Sequence, residues 1–152
     1  MKKILFLFLL FGTLVFGETL VGKVVKVYDG DTLTMMVDGK KEKIRFYGID
    51  APEHNQPFGI ESRDFVRRKV MDKKIKVEVV NTDRYGRKIG KIYYNGSHYL
   101  NLESVKGGYS WWYEYFARNE HKFESAEKNA RRYRKGLWKD DNPINPHDWR
   151  KR

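Results

Sequence analysis

Asp31, Arg45, Asp50 and Glu53 lie within the stretch DGDTLTMMVDGKKEKIRFYGIDAPE, residues 29–53, and Arg87 follows in DRYGRK. Hydrolysing a phosphodiester brings water to an anion. Such a site needs charge neutralisation, an activated water and stabilisation of the charge that builds on phosphorus. Asp31 and Asp50 supply oxygen ligands, which suit a hard cation, and this donor type favours calcium over magnesium only slightly. Pro52 holds Ala51 extended, so that the Ala51 carbonyl can turn toward the same ion. Glu53 sits in the second central position of an Ala51–Pro52 turn, where it can hold a water as general base. Arg45 lies within the apolar run from Ile44 to Ile49. A charge there is costly unless it enters a polar cavity or is paired, and its planar fork matches two phosphate oxygens. Each residue also has an ordinary reading: Asp31 follows a turn, Asp50 caps one, Glu53 completes an Asp-x-x-Glu capping box, and Arg45 is an exposed strand position.

The remaining candidates are aromatic and basic. Arg84, Tyr85 and Arg87 surround one glycine, a turn able to clamp a second edge of a phosphate and to stack a nucleotide; alone it is a basic hairpin loop. Tyr113 and Tyr115 share a face if their segment is extended, as stacking surfaces or as core. His54, His98, His121 and His147 have no ligand spacing, and the chain has no cysteine.

The elements that must position these groups are mostly strands. Leu20–Tyr28, Asp31–Val37 and Lys40–Ile49 read as strands joined by the Asp29-Gly30 and Asp38-Gly39 turn signals, a meander of three. Phe58–Met71 has the apolar spacing of an amphipathic helix. Lys74–Val80 alternates cleanly and pairs with Ile89–Tyr94, making five strands. Leu100–Lys106 is a short helix closed by Gly107-Gly108. From an Asn119 cap the chain is helical to Lys135, with Phe123, Ala126, Ala130 and Tyr133 on one face. The segment from Tyr109 to Phe116 carries no clear pattern, and residues 140–152 read as an extended basic tail pinned by Trp138 or Trp149. Five short strands with a helix between the third and fourth is the order of an OB-type β-barrel, here with the later helices packed on it. Arg45 and Asp50 differ by an odd number, so they face opposite ways along a regular strand. The third strand must therefore bend or end near Gly48.

Met1-Lys2-Lys3, the apolar run Ile4–Phe16 and small Gly17 form the three parts of a cleavable signal peptide, residues 1–17, and the run falls short of the ~20 residues that span a bilayer. The expected protein is secreted or periplasmic, with a domain over residues 18–139. The net charge is +11, and the leader carries Lys2, Lys3 and no acid, so its removal leaves +9. A basic surface outside the cytoplasm points to a polyanion, either nucleic acid or an anionic envelope. A catalytically silent OB module that only binds nucleic acid is the rival to an enzyme, but pure binding gains nothing from carboxylates set beside a polyanion.

Four ordered motifs carry a resemblance: Asp29-Gly30-Asp31-Thr32; Ile44-Arg45-Phe46 running to Ile49-Asp50-Ala51-Pro52-Glu53; Asp83-Arg84-Tyr85-Gly86-Arg87; and Gly136-Leu137-Trp138. Over Leu20–Trp138 the chain resembles the staphylococcal nuclease (thermonuclease) family. The resemblance implies an OB-fold with three helices and calcium-dependent cleavage of DNA and RNA that leaves 3'-phosphate ends. By position it implies one Ca2+ on Asp31, Asp50 and the Ala51 carbonyl. It further implies Arg45 and Arg87 on the phosphate, Glu53 as base, and Arg84, Tyr85, Tyr113 and Tyr115 around the nucleotide. By default the chain reads as a monomer. The family often has threonine in place of Ala51, which a main-chain carbonyl ligand does not need, and lysine is also seen in place of Arg84.

Overall fold

Two-residue turns shape the first half of the barrel. The structure, a computed structural model, describes residues 17–152; residues 1–16 of the predicted leader lie outside the described part. Strand β1 (Thr19–Asp29) turns through Gly30 and Asp31 into β2 (Thr32–Val37), and Asp38-Gly39 leads into β3 (Lys40–Phe46). Asp38 and Gly39 adopt φ 48° and 80°, the paired positive values of a tight hairpin that Asp-Gly tolerates. After α1 (Gly59–Val70) come β5 (Lys74–Thr82) and β6 (Lys88–Tyr94). Antiparallel pairing runs in the order β3-β2-β1-β5-β6.

Closure comes from β3 and β6, which pair in parallel through Ile44 with Lys88, Arg45 with Ile89 and Phe46 with Gly90. The result is a closed five-stranded mixed β-barrel of the OB type, with no open edge at the seam. Gly90 leaves room for the buried Val77 of β5, because a Cβ there would lie 2.3 Å from Val77 Cγ1. Alternation along the strands sends Val24, Leu33, Met35, Ile44, Phe46, Ile75, Val77 and Ile92 into the interior. Each such side chain contributes about 1.5–3 kcal/mol of burial. Helix α1 covers one end of the barrel with Phe65, Val66 and Val70. Helices α2 (Leu100–Gly107) and α3 (His121–Arg132) pack together through Leu100, Val105, Phe123 and Ala126.

Several boundaries differ from expectation. The third strand stops at Phe46, and Gly48 takes φ 74°, so Ile49–Asp50 becomes a separate β4 that pairs with β8 (Trp111–Trp112). A Cβ on Gly48 would sit 2.5 Å from Phe123, and its positive φ disfavours any side chain. A further two-residue strand, β7 (His98–Tyr99), pairs with the end of β6. Helix α3 starts after Glu120 rather than Asn119 and ends at Arg132, leaving Tyr133 60% exposed and outside the apolar face. Arg134 and Gly136, at φ 50° and 54°, turn the chain away. The last residues are not simply extended: Asn145 accepts the His147 N–H and Pro146 starts a fourth helix, α4 (Pro146–Trp149). Among the described residues no helix is long and apolar enough to cross a membrane.

Candidate active site

Asp31 sits in the turn from β1 to β2, where Gly30 leaves room for the chain. A Cβ on Gly30 would fall 2.7 Å from the Ala51 Cβ, so the turn is pressed against the corner that follows β4. One Asp31 oxygen accepts the Thr32 hydroxyl at 3.0 Å and the other the Ala51 N–H at 2.7 Å. Asp50 comes from β4 and is only 2% exposed. Arg45, opposite Thr32 in the β2–β3 pair, reaches both carboxylates: Nη1 lies 3.4 Å from Asp31 Oδ2 and Nη2 lies 3.3 Å from Asp50 Oδ1. Its Nη1 also donates to the Phe46 carbonyl at 3.0 Å. The reversal at Gly48 resolves the parity conflict, since it turns Asp50 back toward the side to which Arg45 points.

The floor of this cup is short of positive charge. Burial and repulsion from Asp31 push the Asp29 carboxyl up to about 8. Burial also raises Asp50, against the hydrogen bond from Arg150, with Asp31 adding repulsion. Such groups favour a cation, which would relieve both desolvation and repulsion. No group of three or more His, Cys, Asp or Glu side chains with metal-holding geometry occurs among the described residues. Asp31 and Asp50 still supply a pair of carboxylates of the oxygen-donor type that a hard divalent ion accepts. The residues therefore fit a hard divalent ion.

Glu53 stands at the rim of the same cup, although in a different turn from the one expected. The Gln56 N–H donates to the Glu53 carbonyl at 2.9 Å and the Glu53 N–H donates to Gln56 Oε1 at 3.0 Å, so Glu53 opens a turn to Gln56 instead of centring one on Pro52. The capping-box reading fails as well, because α1 begins only at Gly59, after a left-handed Phe58 with no side-chain cap.

Arg45 aside, the predicted phosphate and nucleotide residues stand on loops and turns. Arg87 is bound to its own loop: Nε donates to Asp83 Oδ2 at 2.6 Å, and the Tyr85 and Arg87 N–H groups both donate to Asp83 Oδ1. Burial would raise the Asp83 carboxyl, but these donors hold it below its ordinary value. The β3–β6 register sets this loop beside the strand of Arg45, with Arg87 two residues before Ile89, the partner of Arg45. Arg84 stacks over the Tyr85 ring at 4.9 Å and donates to its hydroxyl at 2.7 Å, and Tyr85 is 70% exposed. Tyr113 and Tyr115 do not share an extended face. The chain turns at Phe116, whose N–H donates to the Tyr113 carbonyl, and both tyrosines meet the Phe116 ring edge-on, with centroids 4.9 and 4.8 Å away. The Tyr113 N–H donates to the Gly48 carbonyl at 2.9 Å, which ties this aromatic turn to the strand break beside Asp50.

Asp29, Gln56 and Arg150 belong to the site without having been singled out from sequence. The Asp-Gly-Asp triplet carries a signal for Asp29, which accepts the Asp31 N–H at 3.0 Å. For Arg150 no periodicity or turn signal exists. It arrives from the far end of the chain, donating to Asp50 Oδ2 at 2.8 Å and to Glu53 Oε1 at 2.7 Å.

Residues 43–140 match the family model described as Staphylococcal nuclease homologue. A Haemophilus influenzae protein described as an uncharacterized endonuclease is 39% identical over 85% of this chain and 72% of its own length. An Escherichia coli protein of the same description is 37% identical over 86% of the chain and 85% of its own length. A micrococcal nuclease of Shigella flexneri is 34% identical over 86% of the chain and 80% of its own length.

Proposed function

Because the chain belongs to the Staphylococcal nuclease homologue family, we propose that it is a secreted, calcium-dependent nuclease that hydrolyses phosphodiester bonds in DNA and RNA. It has little sequence preference, since none of the site residues is arranged as a device for reading base edges. The observation that carries this reading is the convergence of buried Asp31 and Asp50 on the single guanidinium of Arg45.

In this reading Asp31, Asp50 and the Ala51 carbonyl hold one calcium ion, which supplies charge neutralisation at the phosphate and lowers the cost of the added negative charge. Arg45 holds the phosphate from the barrel side. Arg87 joins it after exchanging Asp83 for the substrate. Glu53 takes a proton from water as the oxygen bonds to phosphorus; the bond to the 5' oxygen breaks, that oxygen is protonated, and a 3'-phosphate remains. Arg84, Tyr85, Tyr113 and Tyr115 line the nucleotide side, where exposed rings stack on bases of any identity. The leader over residues 1–17 directs export and is removed, and the enzyme acts as a monomer.

Incubating the purified protein with DNA and RNA under calcium, magnesium or chelator tests the function. Digestion with calcium and none with chelator is expected. Digestion undiminished by chelator refutes the metal role, and tight binding without digestion in any metal favours a silent OB module. The mass of the protein recovered outside the cytoplasm tests removal of the leader.

A further inference from the structure

The segment 143–152 is fastened across the site at several points. Pro143 and Ile144 line an apolar cleft with Pro52, Phe58, Trp111 and Leu137. Gln56, buried beneath them, donates its side-chain NH2 to the Ile144 carbonyl at 2.6 Å, while its Oε1 accepts the Glu53 N–H at 3.0 Å. One amide thus ties the segment to the backbone of Glu53. Pro146 is buried, and the Trp149 indole N–H donates to Asn55 Oδ1 at 3.2 Å.

These anchors deliver Arg150 onto the carboxylates. Its guanidinium takes both Asp50 oxygens, at 2.8 and 3.2 Å, and Glu53 Oε1 at 2.7 Å. Arg45 already lies 3.3 Å from Asp50 Oδ1, so both oxygens of Asp50 are committed to cationic donors. A divalent ion that takes an Asp50 oxygen must remove it from Arg150 and would then stand a few ångströms from a like charge. Glu53 Oε1 is held by the same guanidinium, which stands where a water would have to approach that oxygen.

We propose that segment 143–152 is a tethered competitor for the divalent ion: Arg150 occupies Asp50 and Glu53 in the ion-free protein, and ion binding expels it. Uptake of the ion and release of Glu53 are then one event, and the coupling is reciprocal, so whatever holds the segment down weakens ion binding by the same factor. The proposal rests on the reading of Asp50 as an ion ligand and Glu53 as a base.

Calorimetric titration of calcium into the protein and into Arg150→Ala tests it without reference to turnover. The variant is expected to bind calcium roughly 10-fold more tightly, the size of removing one partly solvated like charge beside the ion. Trp149→Ala, which removes the Asn55 anchor and leaves the guanidinium in place, is expected to tighten binding by a smaller factor. Equal or weaker affinity in Arg150→Ala, including no binding by either protein, overturns the competition. In the unaltered protein calcium should also quicken hydrogen exchange at the Trp149 and Arg150 amides; slowed exchange would mean that ion and arginine share the site, and overturns it too. Digestion assays keep the parent reading separate. Calcium-dependent digestion with equal affinities sinks only the competition. Tighter binding by Arg150→Ala with no digestion in any metal sinks the nuclease reading and leaves the competition standing.

Discussion

The floor of the cup and its rim are built on opposite terms. Asp31 in the β1–β2 turn, Arg45 on β3 and Asp50 on β4 are held nearly out of solvent, and each is committed to another by an ion pair or to a backbone N–H. Arg84, Tyr85, Arg87 and Tyr115 stand on two turns, and their side chains make contacts with neighbours in those same turns. The floor therefore stores unfavourable carboxylate proximity that the barrel enforces, whereas the rim stores nothing and can exchange its contacts for those of a ligand. A charged group placed against its own preference by a rigid frame is the stronger sign of chemistry.

Breaking the floor should have the largest effect. Arg45→Ala removes the guanidinium that two buried carboxylates share. It should lower activity by at least ~1,000-fold and stability by about 3 kcal/mol, read from the urea midpoint. Loss of activity at unchanged stability would mean that Arg45 is not needed to hold the carboxylates together. Glu53→Gln and Arg87→Ala should each slow cleavage by ~100-fold while stability in urea unfolding stays within about 0.5 kcal/mol, since both side chains are partly solvated. A large stability loss at Arg87 would place it with the floor. Tyr85→Ala or Tyr115→Ala should weaken substrate affinity by ~10-fold, the loss of one stacked base, with turnover at saturation little changed. Affinity should fall steeply with salt as phosphate contacts release counterions, and a flat response would remove the basic rim from the interface.

Much of this contrast was readable in the chain. The Asp-Gly turns, the alternation of Lys74–Val80 and the apolar spacing of Phe65, Val66 and Val70 are local signals, and the barrel follows from them. The need for a break near Gly48 followed from parity, and the chain does reverse there. The two-residue strands were not legible, because Ile49–Asp50 finds its partner Trp111–Trp112 only across five intervening elements. Tyr113 and Tyr115 misled because a spacing of two implies one face only in extended chain, and the turn at Phe116 breaks it. Arg150 was invisible for a similar reason: its place depends on Gln56 and Asn55 receiving the last residues of the chain.

A crystal structure of the protein grown with calcium tests the central claim most directly. The account predicts one ion with carboxylate oxygens of both Asp31 and Asp50 at about 2.3–2.6 Å, and Arg150 withdrawn from Asp50. Calcium-dependent digestion in solution, together with a crystal in which calcium binds elsewhere and leaves the Asp31–Arg45–Asp50 cluster closed, would contradict it.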